Sequence, residues 1–166
     1  MKSILLLSFL FCTLFAGAQG NTTIKRSAFS LEHPSTWTID TSDSDYDPDA
    51  LFTLEAPDNV SMIMFIIMDI SIDKDLLLDA QVKEFKSNLI KKPTSETPFS
   101  KWGVLNGKGM TIKGKLMGVF PGAIRIFTWN NSERSMVIVQ QYYDEDFDNV
   151  KKDFSIIESS FKFSED

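Results

Sequence analysis

The feature of the chain with the most chemical potential is a run of carboxylates: Asp40, Asp43, Asp45, Asp47 and Asp49, with aspartates at alternate positions from Asp43. Carboxylates this close are costly without a cation, and a hard ion such as calcium takes several of them at once. Asp43, Asp45 and Asp47 are therefore the candidate metal ligands. The run departs from an EF-hand loop, because Pro48 stands where that loop needs glycine and Leu54 where it needs a bidentate glutamate. The competing reading is an acidic loop solvated between strands, with no cofactor.

Nucleophile chemistry is poorly supplied. His33 is the only histidine and Cys12 the only cysteine, so a serine-histidine-acid arrangement or a multi-histidine metal site would rest on one imidazole. His33 lies beside Pro34, where a structural role in a turn outweighs acid-base work. No catalytic residue is assigned. Trp37, Trp102, Trp129, Tyr142 and Tyr143 could offer a ligand surface, although Trp37 and Trp129 fall in strand patterns that predict core. The glycines from Gly103 to Gly122, with Lys108, Lys113 and Lys115, are too dispersed for a phosphate loop, whose glycines cluster where a strand enters a helix. Bends and bulges account for them better.

The elements that must position these residues follow from periodicity. Phe29–Glu32 and Trp37–Asp40 alternate apolar and polar, with His33-Pro34-Ser35 as the turn between them. The acidic segment 41–50 reads as a loop into a strand at Leu51–Glu55, and Ala56-Pro57-Asp58-Asn59 as the next turn. Residues 61–70 are almost wholly apolar, which predicts a strand covered on both faces at the centre of the sheet. From Asp73 the period becomes helical, with Leu78, Val82, Phe85 and Leu89 on one face, Asp73 or Asp75 as cap, and Pro93 as stop.

A polar loop from Pro93 to Pro98 should lead into strands at 99–105, 109–116, 123–129 and 136–143. Asn106-Gly107 predicts a tight hairpin, since both residues tolerate positive φ, and Asn130–Arg134 a looser one. Phe147, Val150, Phe154, Ile157 and Phe161 then share one face of a closing helix whose first turn is acidic.

At the other end, Lys2, the apolar run Ile4–Phe15 and the small residues Ala16-Gly17-Ala18 read as a secretory signal peptide cleaved after Ala18. Twelve apolar residues fall short of the roughly twenty that span a bilayer, so no integral membrane segment is expected after cleavage. Residues 19–166 are of a length that suits one domain. Of 17 Lys and Arg, Lys2 leaves with the leader, so sixteen face 23 Asp and Glu, a formal charge of −7. That balance disfavours nucleic acid and anionic membranes as partners. Removal of Cys12 also leaves stability in an oxidising compartment to packing alone.

The order of elements, together with His33-Pro34-Ser35-Thr36-Trp37 near the start and Phe154-Ser155-Ile156-Ile157-Glu158-Ser159-Ser160-Phe161 at the end, resembles the PsbP-like superfamily. DcrB-type bacterial envelope proteins and a Ran-binding nuclear-import factor also belong there. Here His33 stands where that superfamily usually has an aromatic residue before the proline. The resemblance implies an α+β fold, a central antiparallel sheet of six to eight strands flanked by two main helices. It also implies binding or assembly rather than catalysis, with no functional residue transferable. The expectation is thus an exported accessory domain acting through a protein partner. The alternative is a metal-dependent enzyme, or a calcium or small-ligand module, built on the Asp43–Asp49 loop.

Overall fold

The structure is a computed structural model that describes residues 20–42, 44–90 and 92–164. The predicted leader, Cys12 and Asp43 lie outside the described residues. Ten strands and two helices follow in the order β1 (Asn21–Lys25), β2 (Phe29–Pro34), β3 (Thr38–Asp40), β4 (Leu51–Glu55), β5 (Met62–Met68), α1 (Lys74–Asn88), β6 (Ser95–Trp102), β7 (Leu105–Leu116), β8 (Phe120–Asn130), β9 (Ser135–Tyr143), α2 (Phe147–Ser160) and β10 (Lys162–Phe163). Seven strands form one sheet ordered β3-β4-β5-β9-β8-β7-β6, and β1, β2 and β10 form a second, smaller sheet. All the pairings are antiparallel. This is the α+β architecture expected, a sheet with a helix on each side.

Period-2 alternation divides the large sheet into two faces. Phe52, Leu54, Ile63, Phe65, Ala123, Phe127, Met136 and Ile138 point to one core, which α2 covers with Val150, Phe154 and Ile157. Ile112, Ile124, Ile126, Val137 and Val139 point to the other, covered by α1 through Leu78 and the partly buried Leu77, Val82 and Phe85. Aromatic stacking joins the small sheet to the first core. Phe29 stacks on Phe52 at 5.4 Å, Phe52 on Phe65 at 4.8 Å and Phe65 on Phe161 at 5.9 Å, each pair adding about 0.5–1.5 kcal/mol beyond its buried area.

Several local expectations change. The segment His33-Pro34-Ser35 does not join paired strands: β2 pairs with β1 and β10, whereas β3 pairs with β4, so the chain crosses between sheets there. The centre of the seven-stranded sheet is β9, buried along nearly its whole length, and β5 is its neighbour. The polar residues Ser95–Pro98 belong to β6, an edge strand whose exposure removes the hydrophobic alternation that would reveal it. Pro98 is tolerated because it lies on that edge. The β6–β7 turn is Gly103-Val104, not Asn106-Gly107, since Trp102 pairs with Leu105 and Asn106 with Lys101. Gly103 supplies the positive φ of 54°. Gly107 lies inside β7, where a Cβ would overlap the Thr128 carbonyl oxygen and the Phe127 ring, so the position needs glycine for space.

Candidate functional site

Among the described residues of the acidic loop, the carboxylates of Asp40, Asp45, Asp47 and Asp49 accept from nearby donors. Asp40 Oδ1 accepts from the hydroxyl and N–H of Ser42 at 2.6 and 2.8 Å, and the hydroxyl followed by the backbone bond lowers its pKa. Asp47 Oδ1 accepts from the N–H groups of Asp49 and Ala50 at 2.9 and 3.3 Å, and Asp45 Oδ1 from the Ser44 hydroxyl at 3.4 Å. The Ser27 hydroxyl reaches Asp49 at 3.2 Å. Among the described residues no group of three or more His, Cys, Asp or Glu is arranged to hold a metal ion. His33 is buried in β2, its Nδ1 2.9 Å from the Pro34 carbonyl oxygen, as a structural histidine would be. Trp37 and Trp102 are buried, Trp129 is half-buried on Phe163, and Tyr142 is buried at the edge of a cleft.

That cleft, about 380 Å³ between α2 and the sheet, gathers the polar groups that the folded chain brings together. Antiparallel register sets its floor. Thr111 on β7 lies opposite Arg125 on β8, and Arg125 opposite Gln140 on β9. A polar row therefore crosses three strands on a face otherwise made of Ala123, Phe127, Ile138 and Tyr142. Its roof is α2, where Phe147, Lys151, Phe154 and Glu158 recur at intervals of four, three and four residues and so share one side of the helix.

Arg125 organises the site. Its Nη1 donates to Gln140 Oε1 at 3.0 Å and to Glu158 Oε2 at 2.8 Å, while its guanidinium carbon stands 4.4 Å from the Phe99 ring centroid. Glu158 Oε1 accepts from the Gly103 N–H at 3.0 Å, tying the β6–β7 turn to α2. The ion pair is mostly enclosed, with side-chain exposures of 28 and 22 %, so it is less screened than a surface pair. Burial, followed by the charge of Asp144, raises the Tyr142 pKa, partly offset by Arg125. The phenol therefore stays protonated, a donor rather than a base.

Gln140 is incompletely satisfied. It is 2 % exposed, and among the described residues its Nε2 has no hydrogen-bond partner. The amide orientation is fixed by chemistry, because Arg125 can only donate and the group facing it must be the carbonyl oxygen. Ser61 Oγ, Trp102 Nε1 and Asp58 Oδ2 share its unpartnered state among the described residues, whereas Thr128 and Ser135 contrast with it. Thr128 donates to the Lys74 carbonyl at 2.9 Å. Ser135 donates to the Ile70 carbonyl at 2.8 Å and accepts from the Ile72 N–H at 2.6 Å.

A larger hollow of about 500 Å³ lies at the start of α2, lined by Pro34, Thr36, Asp58, Asn149 and Asp153 among others. Its carboxylates are largely engaged in structure: Asp153 accepts from the Trp37 indole at 2.8 Å and Asp58 Oδ1 from the N–H groups of Val60 and Ser61, leaving Asp58 Oδ2 buried without a partner among the described residues. The smaller cleft is the better candidate. Its residues carry one sequence signal, a lone arginine at the core-facing parity of β8. The pairing of Arg125 with Gln140 and Glu158 requires the register and the packing of α2, which no local pattern reveals.

No family model and no curated protein matches the chain. Three solved structures are similar to it in fold. Cyanobacterial PsbP (CyanoP) from Synechocystis sp. PCC 6803 aligns with a TM-score of 0.55 at 10 % identity, over 90 % of this chain and 96 % of its own. LpqN, described as involved in cell envelope biogenesis of Mycobacterium tuberculosis, aligns with a TM-score of 0.52 at 12 % identity, over 88 % of this chain and 91 % of its own. The Saccharomyces cerevisiae Ran-binding protein Mog1p gives 0.49 at 10 % identity, over 87 and 96 %. The fold is PsbP-like.

Proposed function

We propose that this PsbP-like chain is an exported, non-catalytic accessory domain that works by binding a protein partner through the cleft between α2 and the sheet. The observation that carries the reading is the state of the cleft's charged groups. Arg125 is engaged by Glu158 and Gln140 at 3.0 Å or less, and Tyr142 is held in its neutral form by burial. Such an arrangement presents fixed donors and aromatic surface, as recognition requires, and offers no group poised for proton transfer. The description of LpqN as involved in envelope biogenesis supports an envelope role, and the leader-like residues 1–18 support export. Among the described residues no helix is long and apolar enough to cross a membrane.

The test is site-specific photo-crosslinking from Ser155, at the cleft rim, in the full chain expressed in its source cells. Recovery of one stoichiometric protein partner, lost when the probe is moved to Ser132 on the far hairpin, supports the reading. Substrate turnover by the isolated protein refutes it. N-terminal sequencing of the mature product should begin at Gln19.

A further inference from the structure

The unsatisfied amide of Gln140 specifies what the cleft would receive. A buried donor without an acceptor costs on the order of 1–3 kcal/mol, and Arg125 prevents the amide from turning to hide its NH2 group. Charge arithmetic then selects among acceptors. The positive groups lining the cleft already have anionic partners, Arg125 with Glu158 and Lys151 with Asp148. A carboxylate or phosphate entering here would bring an uncompensated negative charge beside Glu158, in a partly desolvated site where such a charge is expensive. An uncharged oxygen would complete the donor set without that penalty.

The remaining walls are apolar. Phe147 stacks on Tyr142 at 4.4 Å yet is 36 % exposed, and Phe154 packs behind at 6.1 Å from Tyr142. We propose that the cleft between α2 and the sheet takes an uncharged carbonyl group borne next to an apolar or aromatic moiety, with the carbonyl accepting from Gln140 Nε2 and the apolar part lying against Phe147 and Phe154. This rests on the reading of the cleft as the binding site. The same chemistry is carried by an amide within a partner's polypeptide and by a free small amide, and about 380 Å³ accommodates either one residue of a chain or a molecule of that size. Because Nε2 is covered, the entering group must displace side chains of the lining, of which Lys151 and Phe147 are exposed on α2.

The side-chain amide of Gln140 provides the readout. In 15N–1H spectra of the full domain, its NH2 signals are identified by their loss in Gln140→Leu. N-acetylphenylalanine amide should shift those signals saturably, with an affinity at least tenfold above that of N-acetylphenylalanine, which is anionic at pH 7. Binding to the variants is read from the backbone amide of Phe147, which they retain: its saturable shift should be lost in Gln140→Leu and also in Gln140→Glu, which keeps an acceptor for Arg125 but removes the donor, so a folding failure of one variant leaves the other as the test. A blocked tripeptide, acetyl-Ala-Phe-Ala-amide, separates the sources: tighter binding than the single residue marks a polypeptide ligand, and weaker binding a free small amide. Equal or tighter binding of the anionic probe overturns the proposal. So does the absence of any shift with the Gln140 protons exchanging with a bound water. Crosslinking from Ser155 that survives such a failure would leave the partner reading intact and remove only the carbonyl.

Discussion

The indole Nε1 of Trp37 donates to Asp153 Oδ2 at 2.8 Å across 116 residues of sequence, joining the crossing between the two sheets to the middle of α2. The same indole meets Phe154 edge-on at 5.4 Å. Trp37→Phe keeps most of the ring packing and loses the hydrogen bond, so it should cost about 1–2 kcal/mol. Trp37→Ala also opens a large cavity and should cost about 3–5 kcal/mol. Urea unfolding monitored by circular dichroism gives both values, and equal costs would show that the hydrogen bond dominates over packing.

Gly103 and Gly118 both have positive φ, 54° and 77°, but their surroundings differ. A Cβ on Gly103 would overlap the Glu158 backbone carbonyl, whereas nothing lies within 4 Å of the corresponding position at Gly118. Gly118→Ala should therefore cost about 1 kcal/mol, the strain of the left-handed backbone alone. Gly103→Ala must also displace α2 and should lose upwards of 2 kcal/mol, measured as the difference in midpoint between the two variants in one denaturation series.

How far these contacts could be foreseen depends on how local their causes are. The helical period of Val150, Phe154 and Ile157 marks α2 because a helix packing on a sheet must bury one stripe, and that constraint is written within fourteen residues. The turn of the β6–β7 hairpin is not local in that sense. Asn106-Gly107 satisfies every short-range requirement, yet Trp102 has to reach the core beside Phe65 and Phe161, and the turn falls three residues earlier. Edge strands β1 and β6 were invisible to alternation because neither has a fully covered face. For the cleft, Arg125 passed unremarked within the strand 123–129, its one local mark being a charge at an inward position; its partners carry none, because Gln140 and Glu158 become neighbours only after β8, β9 and α2 have assembled.

The acidic loop gives a direct contrast between structure and metal binding. Asp47 Oδ1 accepts two backbone N–H groups, so Asp47→Ala should lower stability by about 1 kcal/mol in the presence of EDTA. Melting curves with and without calcium separate this from a ligand role. Calcium should leave the midpoint of the natural chain in place; a rise that Asp47→Ala abolishes would make Asp47 a ligand after all.

Glu158 holds two partners at once, Arg125 and the Gly103 N–H. Glu158→Gln keeps one acceptor oxygen, enough for Arg125 or for the Gly103 N–H but not both, and loses the charge, while Glu158→Ala leaves a largely enclosed guanidinium with Gln140 as its one remaining acceptor. Discounted for residual solvent exposure, the alanine variant should cost about 2 kcal/mol and the glutamine variant about half of that. Equal costs for the two variants would mean that charge, rather than hydrogen bonding, fastens α2 to the turn.

Tyr142 sets an alkaline limit. Burial raises its folded-state pKa above the ordinary 10.0, with Asp144 adding to the shift and Arg125 opposing it. A raised pKa means that the native state holds its proton more tightly than the unfolded chain does. The tyrosine therefore leaves stability unchanged below pH 10 and erodes it as the pH rises from there towards the folded-state value, because the unfolded chain ionises first. Tyr142→Phe removes the ionisable group while keeping the stack on Phe147 at 4.4 Å. Unfolding free energies measured from pH 8 to 11.5 should run parallel for the two proteins below pH 10, separated by a constant offset. They should fall more steeply for the natural chain above pH 10. Parallel curves throughout would show that the phenol is solvated and that the edge of the cleft is open at Tyr142.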